Sequence, residues 1–241
     1  MKHPFLRALF ACLLCTAVLF SLFACDGGGD PTIEPPVEDK TPDAATLYLS
    51  LCDRLKEANG RFSVSSSSLL QMSESAVRVE LYAATDGEEV YQETDLSTDG
   101  KAERFSHAYT DGALRADGTV TPMTAAEYRA LYGFPSYPVL DASLLVPLTV
   151  HRELGGYCFT VAIPASQAGE FMRGVLGREL HALYTQASVS TVYYVFHFKQ
   201  DGALDRLDLR AQLTLKGQEV SLSACVRYAE IGTARPVPPS A

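Results

Sequence analysis

The sequence predicts an α+β domain: one large, curved antiparallel β-sheet, left open as an unclosed barrel, with about three helices packed on one face. Three observations lead there. Apolar and polar residues alternate over long runs, as in Val77-Arg78-Val79-Glu80-Leu81 and again from Leu207 to Leu215; this is the period of a strand with one face buried. Asp-Gly pairs at 86–87, 99–100, 111–112 and 117–118 punctuate the first alternating region. Asp-Gly is a strong hairpin signal because its glycine accepts a positive φ without strain. Finally, the three stretches with helical spacing do not alternate with single strands, so there is no strand–helix–strand rhythm to imply a parallel sheet.

The chain begins with a leader. Lys2 and Arg7 precede an uncharged run, Ala8 to Ala24, of 17 residues. A basic start, a short apolar core and a small residue before the cut make a secretory signal. Its length is also the lower limit for a membrane-spanning helix, which leaves an uncleaved anchor as the alternative. The run ends in Leu22-Phe23-Ala24-Cys25, which resembles the bacterial lipobox, with Leu at −3, Ala at −1 and Cys at +1. The resemblance implies that signal peptidase II cuts between Ala24 and Cys25, and that the Cys25 sulfur carries a diacylglyceryl group with palmitate-type chains. The expected location is then the extracytoplasmic side of the cell membrane. One acyl chain holds only marginally, whereas two or three on one cysteine hold firmly. Asp26 next to the cysteine resembles an inner-membrane retention signal of two-membrane bacteria.

Residues 25–41 form the lipidated cysteine and a tether rich in Gly, Pro and acids, with no apolar period. The folded part is expected over 42–231 as one β-rich domain, followed by a short Pro-rich tail at 232–241. The first helix is expected from Pro42, capped by Thr41, with Leu47, Leu51 and Leu55 on its buried face and Asn59-Gly60 as its stop. An antiparallel meander follows. Thr121 to Gly133 predicts a second helix, with Thr124 and Glu127 at capping-box spacing. Val150 to Leu154 and Tyr157 to Ile163 predict a hairpin. Ser166 to Tyr184 predicts a third helix, in which Gly174 and Gly177 each cost about 1 kcal/mol relative to Ala. Close approach to the sheet or to a bound chain is the expected compensation. Val192 to Phe198, Leu207 to Leu215 and Val220 to Tyr228 complete the strands.

Charge narrows the partners. All 29 acidic residues follow Cys25, and the full chain carries −9. Such a surface repels phosphate backbones, so nucleic acid is not an expected partner, and membrane attachment falls to Cys25 rather than to a basic patch. Once Cys12 and Cys15 leave with the signal and Cys25 is modified, Cys52, Cys158 and Cys225 remain. Three buried free thiols are the favoured reading; a single disulfide would join Cys158 to Cys225.

No catalytic residue set stands out, and no cofactor or metal is expected. The chain has no Gly-x-Ser-x-Gly elbow. Ser65 to Ser68 reads as a solvated or weakly packed strand face. His107, His151 and His197 fall on separate strands without ligand spacing.

The layout of helices on an open sheet, with lipobox and tether, resembles the lipoprotein carriers of the LolA, LolB and LppX/LprG type over about Pro42 to Ile231. Those are unclosed β-barrels whose concave side, covered by helices, holds acyl chains. The resemblance implies a non-enzymatic protein binding an apolar, lipid-like ligand between sheet and helices. Tyr128, Leu131, Tyr132, Phe159, Phe171, Met172, Leu176, Tyr194 and Phe196 are the candidate lining, and the third helix the lid. The alternative is a structural or partner-binding envelope lipoprotein in which the same residues fill the core. A continuous apolar void above about 300 Å³ separates the first from the second.

Overall fold

The computed structural model describes residues 41–189 and 191–237, apart from the side chain of Glu170. The leader, the Ala24–Cys25 cut, the tether up to Lys40 and the last four residues of the tail lie outside the described residues. Among the described residues the α-helices are α1 (Ala44–Glu57), α2 (Ala125–Tyr132) and α3 (Ala165–Gln186), with a 3₁₀ turn at Ala142–Leu144. The strands are β1 (Arg61–Gln71), β2 (Ala76–Asp86), β3 (Val90–Thr98), β4 (Lys101–Thr110), β5 (Ala113–Ala116), β6 (Thr119–Pro122), β7 (His151–Glu153), β8 (Gly156–Pro164), β9 (Thr191–Lys199), β10 (Leu204–Leu215) and β11 (Gln218–Ala229).

All eleven strands join one antiparallel sheet in the order β6-β5-β4-β3-β2-β1-β11-β10-β9-β8-β7. The chain enters at the middle, meanders out to β6, crosses to the far edge at β7, and meanders back until β11 pairs with β1. β6 and β7 do not meet, so the barrel stays unclosed, as the sequence predicts.

The turns explain the register. Asp99-Gly100, Asp111-Gly112 and Asp117-Gly118 all have positive φ at both residues, and the flanking pairs Thr98↔Lys101, Thr110↔Ala113 and Ala116↔Thr119 leave two-residue loops. Those are I′-type hairpins, whose twist matches the strands they join. Asp86-Gly87 instead opens a four-residue loop, because Thr85 pairs with Val90.

Alternation then sends one face inward. Val77, Val79 and Leu81 of β2, Leu207, Leu209 and Leu213 of β10, and Val220, Leu222 and Val226 of β11 are all buried. The helices lie on that side: Tyr48 of α1 meets Phe196 edge-on at 6.0 Å, and Phe171 of α3 meets Tyr194 at 5.4 Å. A satellite cluster of Val90, Tyr109, Leu114 and Tyr128 packs α2 on the β3–β5 side. Each large apolar side chain so buried contributes about 1.5–3 kcal/mol.

Several local expectations change. The cap of α1 is Asp43, not Thr41: its carboxylate accepts from the Thr46 N–H at 2.7 Å, and Pro42 therefore precedes the cap. The second helix starts at Ala125 behind a complete Thr124–Glu127 capping box, and Thr121 belongs to strand β6 instead. Cys52, Cys158 and Cys225 are free, as the favoured reading has it, but only Cys52 is buried, while Cys158 and Cys225 are half-buried. Cys158 on β8 and Cys225 on β11 are separated by β9 and β10, about 14 Å at the usual strand spacing, beyond the reach of a disulfide.

The serine run is the largest correction. Ser65 and Ser67 face out, but Ser66 and Ser68 are 3% and 1% exposed. Their partner is α3. Gly177 has φ 70° and ψ 163°, which interrupts the helix. The break leaves the Val175 carbonyl to other donors. Ser66 Oγ donates to it, with Ser68 Oγ at 3.5 Å. A buried carbonyl needs such a partner, so the serines dock the kink onto the sheet.

Candidate functional site

The nine residues expected to line a ligand pocket do not line one pocket. Phe159 and Phe196 stack at 5.0 Å and are fully buried, as are Met172, Leu176, Tyr194 and Tyr128. Phe171 is 5% exposed, while Leu131 is 51% exposed. Packed side chains therefore fill most of the interface between sheet and helices, and two small clefts flank it.

The first cleft, about 250 Å³, lies between the 136–139 loop, the start of α3 and strands β8 and β9. Phe171 and Tyr194 line it, with Ile163 and Gln167. The loop above is irregular yet partly buried, so its polar backbone is met by tyrosines. The Tyr48 hydroxyl donates to the Pro138 carbonyl at 2.8 Å and accepts from the Leu140 N–H at 2.9 Å. The Tyr228 hydroxyl donates to the Ser136 carbonyl at 3.0 Å. Ser136 Oγ and the Tyr194 hydroxyl are buried without a partner among the described residues, each at a cost of about 1–3 kcal/mol.

The second cleft, about 150 Å³, opens where the helices stop covering the sheet. Its floor is the inward face of β3–β5. Register places Gln92 opposite His107 and Thr94 opposite Phe105. Its walls are Tyr132 of α2 and Arg178 and Glu179 of α3, with Asp117 nearby. The kink creates this wall. A Cβ on Gly177 would stand 3.3 Å from Val79 Cγ1 and 3.5 Å from Thr94 Cγ2, so the backbone touches the sheet there. The chain restarts a helix at Arg178, directly beside the cleft.

The chemistry of this cleft is polar within an apolar face. Gln92 is 3% exposed and Thr94 4%, and neither side chain is hydrogen-bonded among the described residues. The Arg178 guanidinium stands 5.8 Å from the Tyr132 ring, and no carboxylate among the described residues forms an ion pair with it. His107 Nε2 and the Tyr128 hydroxyl are 3.0 Å apart, and the His107 ring is 4.4 Å from Tyr132. Burial, with the Arg178 charge second, pushes His107 down to about 4, so the ring is neutral at neutral pH. Of the expected residues only Tyr132 reaches this cleft. Gln92, Thr94 and Arg178 escape the sequence reading. For Gln92 and Thr94 the signal was present: Val90, Gln92, Thr94 and Leu96 occupy alternate positions of one strand, so two polar residues fall on the inward phase.

A further cluster sits on the outer face. His197 lies between Glu153, at 2.9 Å from Nδ1, and Asp208, at 3.2 Å from Nε2. A register shift between Leu204 and Arg206 brings the Arg206 guanidinium beside the same ring, at 3.3 Å from Nδ1. The hydrogen bond from His197 holds the Glu153 carboxyl below its ordinary value, while burial and then Glu153 push Cys158 up to about 11. This ties the β7–β8 edge hairpin to the sheet. His107 lies on the inner face of the opposite half, so the three strand histidines do not converge. Among the described residues no three His, Cys, Asp or Glu side chains form a metal-holding group, and no helix is long and apolar enough to cross a membrane.

No family model and no curated protein matches the chain. Solved structures with partial likeness include a porin-like protein from Bacteroides uniformis, at 8% identity over 73% of this chain and 97% of that one, TM-score 0.29. They also include MucB in the Pseudomonas aeruginosa MucA/MucB complex, at 16% identity over 77% and 56%, TM-score 0.28. MucB in complex with the periplasmic part of MucA gives 15% identity over 82% and 58%, TM-score 0.29. This chain thus spans a little over half of the MucB chains. At these scores the likeness carries no argument, and function rests on the residues of this chain.

Proposed function

We propose that this is a lipid-anchored, extracytoplasmic, non-enzymatic protein that binds a partner through the open wing of its sheet, β3–β6, rather than carrying a lipid between sheet and helices. The observation that carries the reading is the filled interior. The clefts beside the packed rings measure about 150 and 250 Å³, below the roughly 300 Å³ at which pockets for drug-sized ligands begin, so neither is the size of a lipid-carrier pocket. The wing, in contrast, is open. Lys101 to Ser106 of β4 are exposed on both faces, and Phe105 on the inner face is 41% exposed. The lipobox at Leu22–Cys25 supports the anchor.

Two measurements test this. Metabolic labelling with a palmitate analogue should mark the wild type and not Cys25→Ala, which should leave the membrane fraction. Photo-crosslinking from position 105 on the envelope should capture a partner, while fluorescent fatty acid should not be taken up. Saturable fatty-acid uptake, or an unlabelled protein that stays membrane-bound without Cys25, would overturn it.

The unpartnered Ser136 and Tyr194 hydroxyls favour a second reading, a small hydroxyl-anchored ligand in the 250 Å³ cleft. Native mass spectrometry of protein purified from its own cells decides it: a bound mass lost in Tyr194→Phe supports the ligand, and a clean spectrum rejects it.

A further inference from the structure

We propose that the cleft between β3–β5 and the second half of α3 is a carboxylate-binding site that takes the α-carboxylate of a free amino acid or of a peptide C-terminus. The proposal deepens the binding reading above, on which it rests, by naming the group the wing recognises.

Three independent features converge on one small space. Arg178 supplies a guanidinium at the wall, unpaired among the described residues, and a guanidinium meets a carboxylate through two parallel hydrogen bonds. Gln92, nearly fully buried and without a hydrogen-bond partner among the described residues, lines the floor; its amide carries two donors. The kink at Gly177 starts a fresh helical segment, Arg178–Gln186, of nine residues. Its first N–H groups lack partners within that segment, and its positive dipole end favours an anion. The first two residues of that segment both line the cleft.

The charges also choose among anions. Glu179 on the wall and Asp117 nearby bring two carboxylates to a site with one guanidinium. His107 adds no charge at neutral pH. One guanidinium against two carboxylates leaves the cleft at −1, so a dianion such as phosphate meets more repulsion than a monoanion, and a zwitterionic amino acid meets the least. The ammonium of a free amino acid would find Glu179 or Asp117; a peptide C-terminus has no such group. A volume of about 150 Å³ is the size of one small residue.

Saturation-transfer NMR on the purified full-length chain tests the site with L-alanine and N-acetyl-L-alanine as observed probes and inorganic phosphate, which has no carbon-bound protons, as the competitor for their signals. At least one alanine probe should bind, weakened about tenfold or more in Arg178→Ala and several-fold in Gln92→Leu. Arg178 is exposed, so its variant should keep the wild-type melting curve; Gln92→Leu keeps the floor packed. Stronger binding of L-alanine identifies a free amino acid, and stronger binding of the acetylated probe identifies a peptide terminus. No saturation with either, phosphate binding more tightly, or binding unchanged in Arg178→Ala overturns the proposal. Loss of crosslinked partner with carboxylate binding intact would instead remove the partner reading and leave the site standing.

Discussion

Replacing Gly177 by alanine separates two expectations of opposite sign. Were α3 an unbroken helix, the change would stabilise it by about 1 kcal/mol, the propensity difference between the two residues. The structure gives the reverse. At φ 70° and ψ 163° the residue occupies a region held almost only by glycine, which costs other residues about 1–3 kcal/mol. The added Cβ would also press on Val79 Cγ1 at 3.3 Å. A net loss of about 2 kcal/mol is expected, or about 4–8 °C in Tm for a domain of this size. Gly169, in the same helix, has open space within 4 Å of where a Cβ would stand, and its φ is not positive. Gly169→Ala should therefore gain up to about 1 kcal/mol. Urea unfolding followed by far-ultraviolet circular dichroism reads both. If Gly177→Ala is as stable as the wild type, or shifts in the same direction as Gly169→Ala, the kink and the cleft wall built on it are refuted.

Three further outcomes are expected. Ser66→Ala should lose about 1–3 kcal/mol in the same urea assay, because the buried Val175 carbonyl loses its closest donor; an unchanged midpoint rejects the docking role. His107 has a folded-state pKa near 4, below the 6.5 of a free histidine. The unfolded chain therefore takes up the proton first, so this contribution is intact above pH 6.5 and is lost as pH falls toward 4. Across that window the urea midpoint should fall less steeply in His107→Gln than in the wild type, and equal slopes would disprove it. Last, Cys52, Cys158 and Cys225 should all react with a thiol reagent after unfolding without reductant. Cys158, pushed up to about 11, should react slowly at pH 8 in the native protein; fewer than three reactive thiols would contradict the free state.

The parts legible in the sequence are those fixed by near neighbours. The Asp-Gly turns carry their own φ preference, and Thr124 with Glu127 closes its capping box within one helical turn. Strand β6 was hidden because its four residues, Thr119–Pro122, run straight into the helix cap. The kink was hidden for a different reason. A glycine in a helical pattern reads only as lost propensity, and Gly177 shows its purpose only against Val79 and Thr94, 98 and 83 residues earlier. Whether aromatic rings fill a space or line it is likewise a matter of volume between distant elements. Phe159, Phe196 and Tyr194 look identical in sequence under either outcome.

The pairing of β1 with β11 has a kinetic consequence. Every other ladder joins strands that follow one another in the chain, but Ser63↔Ala229 through Gln71↔Ser221 bring together the two ends of the domain. Closing so long a loop adds only logarithmically to the entropic cost, yet it waits on everything between. Two meanders are thus expected to form early and independently, with a late zippering of their inner strands as the slow step. Mutations along that zipper should slow refolding, whereas those at the outer edges should mainly speed unfolding.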